Sequence, residues 1–391
     1  MRRNDLAAGP VARGPNAFAL VAAAVAFSAL AARTAATGWR LPVLAAIGVA
    51  LGITLYHARF GFTAAYRRFI LQRDVSGVLA QCLMLAVATV LFAPVLASGS
   101  AFGQQVVAAA PPVGWQVAIG AFLFGIGMQL AGGCGSGTLY TVGGGSPRMV
   151  VTLVAFCTGG FLASLHLDWW GRLPWWAPGA LGERLGWPVA AALNLAVIGL
   201  LAAALVRLGK TPVTLRLNEP FGSFAAGPWP LVAGALALAA LNFATLLVAG
   251  YPWTITWAFT LWGAKAAVAL GWNPESSAFW QAPFQSAALE SSVFDDVTSV
   301  MDLGIVIGAL AAAAAAGRFA PRFRISARAI VAASLGGLLM GYGARLAFGC
   351  NVGAFFSGVA STSLHGWLWI AAALPGNWVG VRLRPLFALD D

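Results

Sequence analysis

Charge is what this chain has least of. Asp, Glu, Lys and Arg make up 9% of its 391 residues, whereas a water-facing globular surface ordinarily carries about a quarter. That shortage excludes a soluble enzyme or a soluble binding module. Acids are scarcer than bases, 12 against 23. On a soluble protein such an excess would suggest nucleic acid; here it has another explanation, and no nucleic-acid partner is expected. The three histidines, His57, His166 and His365, lie far apart. So do the four cysteines, Cys82, Cys134, Cys157 and Cys350, with no CxxC or Cys/His cluster among them. A structural zinc site is therefore not expected, nor is any other metal or cofactor. The glycine-rich stretch 132–137 lacks the Lys-Ser/Thr ending of a phosphate loop, so the chain carries no ATP-hydrolysing motif.

What is abundant is hydrophobicity, 60% of residues, arranged in runs rather than stripes. About 18 apolar residues suffice to cross a bilayer as a helix. Such runs fall near 17–32, 41–56, 78–97, 114–131, 149–165, 188–206, 229–249, 301–317, 329–347 and 366–381. The fold class is thus an all-α integral membrane protein of nine or ten transmembrane helices, with the lipid bilayer as its surroundings. The basic residues gather in short connections: Arg67, Arg68 and Arg73; Arg207, Lys210 and Arg216; Arg318, Arg322, Arg324 and Arg328. This is the positive-inside pattern. It puts both termini, with Arg2, Arg3 and Arg13 at one end and Arg382 and Arg384 at the other, in the cytoplasm of a cell with an inner membrane. No cleavage site follows residue 32, so 17–32 reads as a retained span. The final Asp390 and Asp391 are too few for an acidic tail.

The chain also repeats itself. Residues 125–137 and 341–353 are identical at seven of thirteen positions at an offset of 216, including Cys134/Cys350 and four glycines. Ile53, Thr54 and Gly61 recur as Ile255, Thr256 and Gly263, and Asp74-Val-Ser-Gly-Val78 resembles Asp296-Val-Thr-Ser-Val300. Matched connections differ in charge. The one holding Asp74 carries Arg59, Arg67, Arg68 and Arg73, while its counterpart carries Glu275, Glu290, Asp295 and Asp296. Opposite charge places the two on opposite sides. The expectation is two inverted pseudo-symmetric repeats, residues 37–165 and 229–391. Residues 1–36 would add an extra span, and 166–228 a second extra span and a cytoplasmic linker. The interrupted runs 54–70 and 255–270 read as re-entrant half-helices, which survive at membrane depth only when buried or lining a cavity. In such folds the substrate site lies near the midplane, where broken helices meet.

The candidate path residues come from the repeated motif. Gly133 and Gly135 flank Cys134, and Gly349 precedes Cys350. Glycine weakens a helix and lets a ligand or another backbone approach, leaving a polarizable thiol beside open space. The competing explanation is close helix packing with inert thiols. Arg345 and its repeat counterpart Gln129 stand five residues before their cysteines. An intramembrane arginine suits an anion, or else pairs with an acid such as Asp302. Lys265 is expected to snorkel. Asp74 and Asp296 suit helix capping, and Asp295-Asp296 is no acid/base pair. His365 is expected at the interface, and Trp169, Trp170, Trp175, Trp176, Trp253, Trp367 and Trp369 in an aromatic belt. Cys82 and Cys157 lack glycine neighbours and read as structural.

With these motifs, from about residue 50 to the C-terminus, the chain resembles the YeeE/YedE family of thiosulfate-type sulfur transporters. The longest matching stretches are 125–137, 257–271, 296–308 and 341–387, the last including Ser363-Leu-His-Gly-Trp-Leu-Trp369. The resemblance implies inverted repeats, a narrow cysteine-lined path and thiosulfate relayed by sulfur-centred hydrogen bonds, with Cys134 and Cys350 as two of the thiols. It also implies a small sulfurtransferase partner. One position departs: Arg59-Phe-Gly61-Phe62 has Gly61 where the family pattern implies a third thiol. The expected function is transport of a small sulfur-containing anion, most simply thiosulfate uptake, and not catalysis. The alternatives are a membrane sulfur-handling redox subunit with a cysteine persulfide, a structural membrane protein, and a metal transporter, the last without supporting ligands.

Overall fold

A computed structural model describes residues 14–210, 223–321 and 323–389. Arg2, Arg3, Arg13, Arg216, Arg322, Asp390 and Asp391 lie outside the described residues. Among the described residues nine stretches are long and apolar enough to span a bilayer. The protein is a multi-pass all-α membrane protein.

We number the helices that build it as follows. The first seven are α1 (Ala17–Ala35), α2 (Arg40–Ala58), α3 (Phe62–Gln72), α4 (Ser76–Ser98), α5 (Trp115–Ala131), α6 (Gly135–Gly143) and α7 (Pro147–Leu165). Then come α8 (Trp187–Leu208), α9 (Leu231–Ala249), α10 (Thr256–Ala269), α11 (Val297–Ala315) and α12 (Ala327–Leu346). α13 is a π-helical turn, Asn351–Phe356, running into Ser357–Ala360, and α14 is Leu364–Leu383. Ten of these are long. At 20 residues α14 measures about 30 Å, though with its Trp, Pro and Asn it is not among the nine stretches apolar enough to span. The four short ones, α3, α6, α10 and α13, are the half-helices.

Glycine sets how the long helices pack. A Cβ on Gly127 would lie 2.6 Å from the Gly336 carbonyl oxygen, and one on Gly120 2.6 Å from that of Gly343. Such contacts bring backbones together, which is how membrane helices associate without a hydrophobic drive. They also fix direction. Gly120 faces Gly343 while Gly127 faces Gly336, so α5 and α12 run antiparallel. Gly48 and Gly52 face Met301 and Ile305, making α2 parallel to α11. In the same way α5 runs parallel to α14 (Gly125 with Ala373, Gly380 with Ile126) and α7 to α12 (Thr152 with Gly337, Phe156 with Gly341). Strict alternation of ten spans requires all four relations.

The packing has a second regularity. The order long, short, long, long, short, long occurs in 40–165 and again in 231–383. α7 packs on α12 as α14 packs on α5, α2 on α11 as α9 on α4, and α1 on α11 as α8 on α4. α1 and α8 turn most of their surface outward, with Phe18 85% and Leu200 72% exposed. Such apolar surface is tolerable only against lipid.

Several expectations change. α2 continues to Ala58 and the break falls at Arg59–Gly61, so the first half-helix is 62–72 rather than 54–70. Ile53 and Thr54 sit inside α2, whereas Ile255 and Thr256 open α10, so that pair does not occupy equivalent places. Trp253 and Trp369 are buried rather than in a belt; Trp169, Trp175 and Trp176 are exposed. His365 is fully buried, its Nε2 3.0 Å from the Ala347 carbonyl. The Lys265 ammonium donates to the carbonyls of Leu289 (2.7 Å) and Ser291 (2.6 Å) in the connection before α11. Asp296 caps α11 as expected, accepting from the Ser299 amide at 2.7 Å. Asp74 sits one residue before the α4 cap, accepting from the Ser76 amide at 3.0 Å.

Candidate functional site

Each repeated motif breaks a long helix and starts a short one. α5 ends at Gly132, whose φ of +85° only glycine adopts freely. Cys134 follows as the extended N-cap of α6. α12 ends before Phe348 and Gly349 (φ +54° and +150°), and Cys350 is the extended N-cap of α13. At Gly349 a Cβ would also lie 2.8 Å from the Ala354 amide nitrogen. Both thiols thus stand at the positive ends of short helices, whose first amides lack intrahelical acceptors. The Val352 amide points at the Cys350 sulfur, 3.4 Å away, and Cys134 lies 3.4 Å from the Ser136 hydroxyl.

The two motifs meet. A Cβ on Gly135 would lie 3.2 Å from the Cys350 sulfur and 3.5 Å from Ile255 Cγ2. Ile255 is the N-cap of α10. Gly61 is the N-cap of α3, and the atom nearest a Cβ there is the Tyr140 hydroxyl of α6, 3.6 Å away. The starts of α6, α10 and α13 therefore gather around one region, an arrangement suited to an anion, while α3 begins against the Tyr140 side chain of α6. Cys134 and Cys350 are buried, 1% and 0% exposed.

Cavities flank this region. One of about 300 Å³ is lined by Thr254, Thr256, Arg345, Phe348 and Gly349, and one of about 340 Å³ by Tyr251, Thr254, Phe348 and Gly353. A separate space of about 10 Å³, roughly one water, is lined by Arg59, Gly61, Arg68 and Gln81. Arg345 does not pair with Asp302. Its guanidinium lies 5.1 Å from the Phe279 ring centre, and its Nε has no hydrogen-bond partner. Gln129 is apart from the thiols, held by the Thr63 carbonyl at 3.1 Å and by Asn377 at 2.7 Å. Gly133 packs against the first turn of α6, 3.3 Å from Gly137.

Sequence reasoning missed Thr254, Thr256, Tyr251 and Gln81. Tyr251 and Thr254 lie on the unwound approach to α10, which carries no charge, and Thr256 is the first residue of that helix. Gln81 is buried with both amide atoms unpartnered; a polar residue inside an apolar run was the available signal. Among the described residues no group of His, Cys, Asp and Glu could hold a metal.

Residues 57–379 match the protein family described as "Sulphur transport". The chain belongs to this family. It is 30% identical to the "Thiosulfate transporter TsuA" of Spirochaeta thermophila over 85% of this chain and 95% of that protein. With the Escherichia coli "Thiosulfate transporter TsuA" it shares 26% over 86% of this chain and 94% of that one. It is 34% identical to the E. coli "Probable transporter YedE" over 41% of this chain; the match spans 40% of that relative's length. The matched family region takes in all four half-helices and both thiols.

Proposed function

We propose that this family member carries a small sulfur-containing anion, thiosulfate before others, across the inner membrane past Cys134 and Cys350. The observation that carries the reading is the meeting of two buried thiols, each the N-cap of a short helix, with Gly135 of one motif against Cys350 of the other. The two TsuA relatives, named as thiosulfate transporters and matched over nearly their whole length, support the substrate class.

The chemistry follows from the groups present. A sulfur oxyanion leaving water loses strong hydration, which helix N-termini and an arginine offset. Arg345 supplies positive charge in the cavity of about 300 Å³. The thiols then offer weak S–H donors to a soft, polarizable sulfur or to its oxygens. Weak contacts in succession allow the anion to leave as well as enter. In this conformation the thiols close the constriction, so passage requires a small outward shift of Gly135 or Cys350.

Residues 37–165 and 229–391 are inverted copies in this reading. It is supported by the antiparallel course of α5 and α12 and by the exchange of packing partners between halves. Ten spans return the chain to its starting side, and Arg59, Arg68, Arg73 and Arg318 then lie at cytoplasmic ends, in keeping with both termini inside. Uptake feeding a small sulfurtransferase protein would suit the cytoplasmic mouth at Gly61.

Growth tests the proposal. Expression in a strain lacking sulfate and thiosulfate uptake should restore growth on thiosulfate as sole sulfur source, and C134A or C350A should abolish it while the protein stays in the membrane. Growth of both variants at the wild-type rate would sink the role of the thiols. A sulfane adduct on either cysteine by mass spectrometry, with no flux, would favour the persulfide subunit instead.

A further inference from the structure

Asp302 on α11 has no part in the path described so far. It is 0% exposed, and neither carboxylate oxygen has a hydrogen-bond partner. An intramembrane carboxyl in that condition is costly to keep ionised and is by default functional. Its surroundings connect it to the site. Thr298 precedes it by one helical turn, so the two side chains share a face. The Thr298 hydroxyl lies 3.3 Å from that of Thr254, which lines both large cavities. Tyr251 lies on the wall of the second cavity beside Thr254. Cys350 is within electrostatic reach of the carboxyl.

No other charge answers it. On its own helix Asp296 is engaged by the Ser299 amide and the Trp257 indole. α1 turns Arg33 to Asp295 at 3.3 Å. From α10, Lys265 is held by two carbonyls. His57 of α2 and Tyr140 of α6 lie toward the Gly61 end, and from α7 the titratable neighbour is Cys157.

We infer that Asp302 is a proton-binding site that couples anion uptake to proton entry, loaded from the larger cavities through Thr254 and Thr298. This rests on the transport reading above. A dianion entering an inside-negative cell moves against two elementary charges, and a co-transported proton offsets one of them. The ion is a proton rather than sodium, because sodium needs several oxygens converging on it, and among the described residues no group of His, Cys, Asp and Glu gathers to hold a cation.

The test uses proteoliposomes holding the full chain and radiolabelled thiosulfate, with the membrane potential clamped at zero. Two quantities are read: accumulation driven by an inward proton gradient, and exchange of label at equal concentrations without a gradient. One pH unit should sustain up to about tenfold accumulation per proton carried, and an inward sodium gradient should sustain none. D302N should lose accumulation and keep exchange; D302E should recover accumulation. Wild-type exchange with no proton-driven accumulation overturns the coupling and leaves the transport reading intact, and so requires no variant. Accumulation driven by sodium, or by protons in D302N as in wild type, also overturns it. A wild type that does not exchange at all overturns the transport reading and this inference with it.

Discussion

Gly135→Ala separates transport from folding. The glycine is the first residue of α6, and its φ is not positive, so alanine fits the backbone. The new methyl would stand 3.2 Å from the Cys350 sulfur, 3.5 Å from Ile255 and 3.6 Å from Thr256. The first distance is a few tenths of an ångström inside ordinary van der Waals contact, and overpacking of that kind costs about 1–3 kcal/mol. Alanine returns about 0.4–1 kcal/mol by restricting the unfolded chain. Stability should therefore fall by no more than about 2.6 kcal/mol. The anion has no such compensation. It must pass where the methyl stands, and the same 1–3 kcal/mol added to the barrier slows flux by about fivefold to 150-fold. Initial rates of thiosulfate uptake in proteoliposomes, beside thermal unfolding in detergent, measure both. Gly199→Ala is the control: a Cβ there has no atom within 4 Å, so uptake should stay at wild type and stability should rise by about 0.4–1 kcal/mol. A Gly135→Ala protein that transports at the wild-type rate would refute the constriction.

Other outcomes follow from the same geometry. Arg345→Ala should raise KM for thiosulfate about tenfold or more with a smaller change in maximal rate, since its charge serves binding in the cavity before the constriction; an unchanged KM would remove it from the path. Gly61→Cys should fold normally, because φ is −123° and the nearest atom to the new Cβ is 3.6 Å away, and it should raise thiosulfate flux relative to sulfate by adding a thiol at the inner mouth. Gly349→Ala should destabilise the protein by about 1–3 kcal/mol, given its φ of +150° and the Ala354 amide in the way; a melting temperature equal to wild type would count against the bend. Asp296→Ala should cost about 1–2 kcal/mol through the lost α11 cap and leave exchange unchanged.

Much of this was legible in the sequence. Each long helix is an apolar run because lipid gives its surface nothing polar to face, and hydropathy reports that directly. The Gly-Cys motif was legible because a helix that must stop in mid-membrane needs glycine at the bend, and here it stops twice. Burial inside the protein was not legible. In a soluble chain an apolar face points inward, but in a membrane Trp369 against the Gly349 carbonyl and Trp175 at the surface present the same hydropathy. His365 misled for the same reason: its single bond to the Ala347 carbonyl depends on where α12 ends relative to α14. Thr254 carries no signal beyond weak polarity, and only the unwinding before α10 brings it to the cavity. Gly61 was picked out by its place in a motif, and its nearness to α6 depends on the turn after Ala58.

The most direct measurement is thiosulfate flux into proteoliposomes containing the purified protein, compared with C134A and C350A reconstituted at equal density. The account predicts saturable flux for the wild type, outcompeted by excess unlabelled thiosulfate, and near-background flux for each variant. Equal flux in all three, or none in the wild type, would contradict it.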